Sequence, residues 1–224
     1  MNILMIVAGN NEPSNSNMLA DAFIEGMRPH PNLTIEKRKL KDLKIDHFHL
    51  GHYEDNAVDE PDFRMLKDLI LKADGIVIAT PMWNFSVPAH LKNLIDRMGA
   101  FGLNKETRSR GTLKKKPFFV IYTGGASTVA WKGLMRITTS HVIAGIHYFD
   151  GSYLGAHFEP KCIPSRGKFG LVVDQRPQSI ALVKKKGAAF ARAVQRFVDT
   201  GKIPLKRVIV RKIMKLGEAI VEKF

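Results

Sequence analysis

The chain has 224 residues, of which 45% are hydrophobic and 25% charged. This balance predicts one main globular domain with a good-sized core rather than two domains. The net charge of +14 raises nucleic acids, anionic membranes and phosphorylated ligands as partners. No recognised nucleic-acid-binding motif accompanies that charge, so we expect no nucleic-acid partner. The single cysteine, Cys162, cannot form an internal disulfide, and the first apolar run ends at Ala8, too short for a signal peptide, so we expect a cytoplasmic protein.

Apolar runs alternate with amphipathic stretches along the chain. Continuous apolar runs are typical of strands buried on both faces of a parallel sheet, whereas apolar residues three or four apart predict helices. The predicted strands cover residues 2–8, 33–40, 75–80, 117–123 and 146–154. The predicted helices begin near Ser16, cover 63–73, follow Pro88, cover about 129–143, and run from about 180 to a stop at Gly201.

This alternation implies right-handed crossovers and an α/β fold, a doubly wound five-stranded parallel sheet with the flavodoxin-like strand order 2-1-3-4-5. We predict that this domain covers residues 1–201 and that residues 202–224 form a basic amphipathic helical extension. The apolar stripe of the extension is expected to pack on its own domain or on a partner subunit. Contact with an anionic membrane surface is the alternative.

In such a sheet, ligands bind beyond the carboxyl ends of the strands, near the switch in strand order. The loop after the first strand lacks the glycine patterns of dinucleotide and ATP sites. It places four polar residues at a helix start, Ser14, Asn15, Ser16 and Asn17. Hydroxyl and backbone N–H groups there can bind an anion. Capping of the helix by one of the serines is the simpler interpretation of this loop alone.

The loop after the third strand carries apolar and amide side chains where solvent would otherwise lie, namely Pro81, Met82, Trp83, Asn84 and Phe85. A flat hydrophobic ligand would explain them, since an amide can offer both a donor and an acceptor to a heterocycle. Packing against a neighbouring subunit is a compatible alternative.

The loop after the fourth strand contains Thr123, Gly124, Gly125 and Ala126. Its two glycines allow a ligand to approach the backbone closely, with their N–H groups facing a negative charge. Adjacent glycines are also common in turns, so this loop does not identify a ligand by itself.

Together the three loops resemble the NAD(P)H-dependent FMN reductase, quinone reductase and azoreductase group of flavodoxin-like proteins. The similarity is most specific at TPMWNFSVPAHLKNLIDRM, while SNSNML resembles the phosphate loop and TGGAS the second flavin loop of that group. These segments occur in the expected order within residues 2–155. One departure is Ala8 and Gly9, where several relatives carry serine or threonine.

The resemblance implies bound FMN, with NADPH or NADH as co-substrate. Ser14, Ser16 and Asn17 would hold the phosphate, with Asn15 contributing its backbone. The second and third loops would surround the isoalloxazine ring. Hydride would pass through flavin N5, without a catalytic side chain, to a quinone, azo, nitro or free flavin acceptor in a ping-pong cycle. We expect a homo-oligomer, either a dimer or a tetramer.

Two other functions compete with this interpretation. A flavodoxin-type electron carrier shares the fold and cofactor, but the charge of +14 and the Trp83-containing loop favour a reductase. A basic nucleic-acid-binding protein is supported by charge alone. A cluster of possible metal ligands matches no familiar zinc spacing, so we predict a structural or surface loop there: Asp46, His47, His49, His52, Glu54 and Asp55. Residues 155–177 match no pattern and could shape the acceptor pocket.

Overall fold

Five parallel strands form one sheet in the order β2-β1-β3-β4-β5. They are β1 (Asn2–Val7), β2 (Thr34–Lys39), β3 (Gly75–Pro81), β4 (Pro117–Thr123) and β5 (Ser152–Glu159). The structure is a computed structural model that describes residues 1–54, 57–108, 111–165 and 168–204. All four strand pairings are parallel, which confirms the predicted doubly wound, flavodoxin-like sheet.

Helices cover both faces of the sheet. They are α1 (Asn15–Met27), α2 (Pro61–Lys72), α3 (Ala89–Arg97), α4 (Gly99–Gly102), α5 (Thr128–Ala130), α6 (Arg136–Thr138), α7 (Ser140–Tyr148) and α8 (Pro177–Thr200). The α1 and α8 helices share a core with one face of the sheet, and α2, α3 and α7 share a core with the other. Short 3-10 turns occur at Leu40–Asp42, Leu50–Tyr53 and Val173–Gln175.

The burial of the strands follows their position in the sheet. The β4 strand is buried along its whole length, and β1 and β3 are buried except at one end, which matches their continuous apolar runs. The β2 strand has the sequence TIEKRK, lies at the edge and is only partly buried. Its charged side chains suit an edge strand.

Two predicted elements between β4 and β5 have different bounds. The predicted helix over 129–143 is broken by a π-helical turn at Trp131–Met135, in which Gly133 has non-helical backbone angles. The α7 helix then continues to Tyr148, so residues 146–148 are helical and the last strand begins only at Ser152. A short apolar run suits either a strand or a buried helix, and here Ile146 packs with Val142 one helical turn earlier.

The α1 and α8 helices cross in close contact because each has a glycine at the crossing. A Cβ atom at Gly26 would lie 1.9 Å from the Lys184 carbonyl oxygen, and one at Gly187 would lie 2.2 Å from the Phe23 carbonyl oxygen. The α8 helix ends at the predicted Gly201, which has the left-handed φ of 66°.

The predicted extension lies mostly outside the described residues, which end at 204. Its helix, its apolar stripe and its docking therefore stay predictions. Within the described ranges, no helix has the length and apolar character needed to span a membrane.

We predict that Gly187→Ala destabilises the protein. Alanine normally favours a helix over glycine by about 1 kcal/mol. The overlap with the Phe23 carbonyl should reverse that gain and lower the free energy of unfolding by about 1–3 kcal/mol. Denaturant unfolding measures the change, with Ala189→Ser as a control that adds one heavy atom at an exposed position of the same helix. If Gly187→Ala is as stable as the wild type or more stable, the crossing of α1 and α8 can accommodate a methyl group.

Candidate functional site

The loops after β1, β3 and β4 meet beyond the carboxyl ends of these strands and line one cleft. From the three loops, its lining comprises Asn11, Ser14, Asn15, Ser16, Pro81, Met82, Trp83, Thr123, Gly124 and Gly125. The opposite wall comes from the segment after β5 and comprises Cys162, Ile163, Phe169 and Gly170. Most of the predicted site residues therefore surround one space.

Four predicted site residues lie beside the cleft rather than in its lining. Asn17 turns its amide toward Asp21, with a distance of 3.4 Å between Nδ2 and Oδ2. The carbonyl of Ala126 accepts a hydrogen bond from the Lys161 N–H. Asn84 and Phe85 form the tip of a turn, and Phe85 is 64% exposed.

The start of α1 combines a helix cap with two buried hydroxyl groups. Ser14 Oγ accepts a hydrogen bond from the Asn17 N–H at 3.3 Å and lies 3.0 Å from Ser16 Oγ. Gly9 makes room for this pair, because a Cβ atom there would lie 2.4 Å from Ser16 Oγ and 2.6 Å from Ser14 Oγ. No acidic residue occupies the first turn of α1. Capping and anion binding are thus compatible here, since the helix end presents N–H groups and positive potential.

A tight turn presents Trp83 to the cleft. Trp83 and Ser86 exchange two backbone hydrogen bonds of 2.8 and 2.9 Å, and both residues between them have positive φ, 47° at Asn84 and 67° at Phe85. Two-residue turns of this type favour asparagine, whereas positive φ is rare for phenylalanine. The Trp83 Nε1 atom is buried and has no hydrogen-bond partner among the described residues. Such a buried donor is suited to an acceptor atom on a ligand.

The two glycines after β4 differ in their hydrogen bonding. The Gly124 N–H donates to the Glu159 carbonyl at 3.1 Å, and the Gly124 carbonyl accepts from the Cys162 N–H at 2.9 Å. The expectation that both glycine N–H groups face a ligand is therefore wrong for Gly124. A Cβ atom at Gly125 would point toward Ile163 Cδ1 at 3.3 Å, so the missing side chain keeps this part of the cleft open.

A buried polar network fixes the end of β5. Burial by itself raises the pKa of the Glu159 carboxyl, but hydrogen bonds from His157, Arg176 and Ser179 outweigh it and hold that pKa below its usual value. The distances to these donors are 3.0, 2.8 and 2.9 Å. Lys186 Nζ lies 3.1 Å from His157 Nδ1 and donates to it, which leaves His157 Nε2 as the donor to Glu159.

Sequence reasoning missed this network and the wall of the cleft that follows it. The predicted last strand ended at residue 154, before His157 and Glu159, and residues 155–177 showed no periodicity. The only available signal was a carboxylate two positions after a histidine on a strand, which places both on one face. Burial raises the pKa of the Cys162 thiol to about 12, so this cysteine is not a nucleophile at neutral pH.

The histidine-rich segment forms an ion-pair cluster away from the cleft. Ligand atoms of Asp46, His52 and Glu60 lie within 4.8 Å of one another. The Glu60 carboxylate is already paired with the guanidinium of Arg97, which is 2% exposed and also donates to the Asp46 carbonyl at 2.9 Å. A buried cation of the protein thus neutralises this carboxylate. Asp55 lies outside the described residues.

The sheet order and a ligand cleft at the strand switch define a flavodoxin-like α/β domain. The Flavodoxin_2 family, described as a flavodoxin-like fold, matches residues 1–157. The chain belongs to this family, which confirms the resemblance seen in the sequence.

Two bacterial oxidoreductases are similar to the chain in sequence, and a solved structure is similar to it in fold. An FMN-dependent NADH:quinone oxidoreductase of Alcanivorax borkumensis is 31% identical over 144 residues, covering 56% of this chain and 71% of the relative. A protein of the same name from Coprothermobacter proteolyticus is 38% identical over 129 residues, covering 52% and 63%. The solved NAD(P)H:quinone oxidoreductase of Methanothermobacter marburgensis superposes with a TM-score of 0.67 at 17% identity, covering 84% of this chain and 96% of that one, and supports the fold alone.

We predict that the stability conferred by Glu159 depends on pH. Its pKa is lowered in the folded state, so the stabilisation is complete above the unfolded pKa and is lost as the pH falls through the folded pKa. The wild type should therefore exceed Glu159→Gln in unfolding free energy at neutral pH, and the difference should shrink below about pH 5.

Denaturant unfolding between neutral and acidic pH measures this difference. Glu25→Gln is the control, because Glu25 also forms an ion pair, with Lys184, but is exposed. A constant gap between wild type and Glu159→Gln at every pH would contradict a stabilising ionised Glu159.

Proposed function

We propose that the chain is an FMN-dependent oxidoreductase that takes hydride from NADH or NADPH and transfers it to a small oxidised acceptor such as a quinone. One observation carries the proposal: the same cleft is lined by a helix start with two buried hydroxyl groups and by Trp83, whose buried indole N–H has no partner among the described residues. An anion site beside a donor for a heterocycle suits a flavin mononucleotide. The names of the two sequence relatives support this assignment.

The start of α1 would hold the FMN phosphate. Ser14 and Ser16 would contribute hydroxyl groups, and the first-turn N–H groups would contribute the positive helix end. The side chain of Asn15 accepts hydrogen bonds from the Val172 and Val173 N–H groups, so we assign only its backbone to the phosphate. Asn17 would contribute indirectly. Its backbone N–H donates to the Ser14 hydroxyl and positions it, whereas its side-chain amide faces Asp21.

The loops after β3 and β4 would hold the isoalloxazine ring. Trp83 would donate its indole N–H, Met82 and Pro81 would supply apolar contact, and Thr123 and Gly125 would face the ring with little steric bulk. Gly124 would contact the ring from the cleft lining, with its N–H already donated to Glu159. We propose Asn84, Phe85 and Ala126 as more distant contacts through the turns that they form. Bound FMN would supply hydride acceptance and release at its N5 atom.

We infer from the size of the cleft that the nicotinamide cofactor and the acceptor bind to the same face of the flavin ring, one after the other. Its cavity is about 120 Å³, whereas pockets that enclose a drug-sized ligand measure roughly 300–1,000 Å³. We therefore expect a flat ring to extend into the open mouth of the cleft and to leave one face exposed. The nicotinamide cofactor and the acceptor would stack on that face in turn, because both need close, aligned contact with the same ring.

We further propose a homo-oligomer in the cytoplasm that acts on quinone, azo, nitro or flavin acceptors. Exposed apolar side chains support a partner surface: Phe85 is 64% exposed, and Ile137, next to Thr138, is 67% exposed. Large apolar groups gathered on a surface are typical of interfaces. The Thr138 hydroxyl donates to the Phe85 carbonyl, which joins this surface to the rim of the cleft.

We predict that the purified protein binds FMN with a micromolar or lower dissociation constant and becomes yellow. Absorbance scans and a flavin fluorescence titration measure binding. No saturable binding up to about 1 mM FMN would contradict the proposed function.

The variant Gly125→Val locates the site within the same titration. Its branched side chain would enter the cleft toward Ile163, so FMN affinity should fall at least about tenfold. The thermal unfolding profile should stay near that of the wild type, because the Ile163 side chain lies on a surface segment. Unchanged affinity with a normal melt would place the flavin elsewhere.

We also predict parallel lines in double-reciprocal plots when NADH and a quinone are varied. Parallel lines follow if the first product leaves before the acceptor binds to the shared face. Intersecting lines would require both substrates to be bound together and would exclude the shared face. FMN binding without turnover of any small acceptor would favour the electron-carrier alternative.

A further inference from the structure

The imidazole of His90 bonds to the end of β1. His90 Nε2 lies 2.8 Å from the carbonyl oxygen of Ala8, the residue that follows β1. A carbonyl oxygen can only accept a hydrogen bond, so the Nε2 atom carries the proton and donates it. His90 lies in the first turn of α3 and is not among the residues that line the cleft. The bond therefore connects α3 to the strand that leads into the proposed phosphate site.

A proline in β3 explains why a side chain makes this bond. The β1 and β3 strands are paired as far as Val7 and Ala79, and the Ala8 N–H donates to the Ala79 carbonyl at 2.8 Å. In a parallel ladder, the next bond would run from the N–H of residue 81 to the Ala8 carbonyl. Pro81 occupies that position and has no N–H. His90 thus supplies the donor that the sheet lacks at this point.

The Ala8 carbonyl needs this donor because the residue is buried. Ala8 is 0% exposed, and a buried carbonyl without a partner is costly. Val87 and Leu91, which flank His90 in sequence, are buried in the same core cluster as Ala8. Their packing holds the first turn of α3 against the end of β1. The imidazole is therefore held within reach of the carbonyl by the core itself.

The bond at Ala8 is one residue away from the hydroxyl pair of the proposed phosphate site. The Ala8 carbonyl and the Gly9 N–H belong to one planar peptide group, so holding the carbonyl fixes the orientation of Gly9. Gly9 is packed against two serines, because a Cβ atom there would lie 2.6 Å from Ser14 Oγ and 2.4 Å from Ser16 Oγ. A rotation of this peptide group would therefore change the space open to both hydroxyl groups.

We propose that His90 is a positioning residue for the phosphate group of the flavin cofactor. It makes the hydrogen bond that Pro81 cannot make and thereby fixes the peptide group after Ala8. The Ser14 and Ser16 hydroxyl groups then keep the geometry that binds the phosphate. This inference rests on the proposed function, because it needs an FMN phosphate at the start of α1.

The test compares FMN with riboflavin, which has the same ring system and ribityl chain but no phosphate. The two variants are His90→Gln and His90→Asn. The amide nitrogen of glutamine lies as many bonds from Cβ as Nε2 of histidine, whereas that of asparagine is one bond nearer to the backbone and falls short of the Ala8 carbonyl. Both new side chains are neutral amides, so the variants differ mainly in reach.

We expect His90→Asn to raise the FMN dissociation constant about three- to tenfold, the fold-change that corresponds to one hydrogen bond. The riboflavin dissociation constant should stay within about twofold, and His90→Gln should bind both flavins within about twofold of the wild type. Competition with inorganic phosphate gives an independent measurement. The inhibition constant of phosphate against FMN should rise in His90→Asn and not in His90→Gln. Flavin fluorescence titrations measure all of these constants.

The matched control is His141→Asn. His141 Nδ1 also bonds to a backbone carbonyl, that of Thr138 at 3.1 Å, but His141 lies outside the lining of the cleft. This variant should change neither flavin dissociation constant. Thermal unfolding of the three variants separates stability from binding, since a purely structural role would lower Tm without changing the ratio of the two dissociation constants.

Equal losses of FMN and riboflavin affinity in His90→Asn would overturn the proposal, because His90 would then support the cleft as a whole. Unchanged FMN affinity in His90→Asn would also overturn it. A loss of FMN affinity that His90→Gln shares would contradict it as well, since a donor to the Ala8 carbonyl would not be sufficient. Failure of the proposed function itself would be seen in the wild type, as a protein that binds neither flavin.

Discussion

Hydrogen bonding between the strand ends is the constraint on which the cleft depends. At the carboxyl edge of a parallel sheet, the backbone groups that leave the ladder must find partners or remain in water. Here each central loop bonds to the next one: Ala8 N–H to the Ala79 carbonyl, Met82 N–H to the Thr123 carbonyl, and Gly124 N–H to the Glu159 carbonyl. This row continues the sheet past its last strand residues and sets the spacing of the loops that form the cleft.

Glycines allow the remaining elements to approach that row. The absence of a side chain at Gly9 leaves space for two serine hydroxyl groups, and Gly26 and Gly187 bring α8 against α1. Contacts therefore hold α1 at both ends, at its start beside Gly9 and near its end at the crossing with α8. Because Asn15 belongs to the start of α1 and its side chain bonds to the segment after β5, a shift of the helix would also break the hydrogen bonds at Gly170 and Val172. The Asn15 side chain thus connects the anion site to the opposite wall of the cleft.

The sequence predicts the elements whose burial pattern is local. The β4 strand has the predicted bounds, and α1 begins one residue from the predicted position, because an apolar run and a serine cap are both visible in a short window. The three loops could be assigned because they follow such strands. By contrast, the bond between Asn15 and Val172 joins positions 157 apart, and no local pattern reports it. Phe169 shows no periodicity either, so its place on the cleft required the fold.

Charge has a less direct role in this site than the composition suggests. No lysine or arginine lines the cleft among the described residues, so a phosphate there would be bound by hydroxyl groups and helix N–H groups. Glu12 lies in the same loop, and its carboxylate would repel an anion. Lys39 and Lys41, at and beyond the end of β2, lie 2.9 and 3.5 Å from that carboxylate. These exposed cations offset the nearby negative charge without contacting the ligand, and salt would screen them more strongly than the partly buried helix start. Selectivity for a phosphate therefore depends on the fixed geometry of the hydrogen-bond donors. The basic residues at the end of the edge strand only offset the negative charge of Glu12.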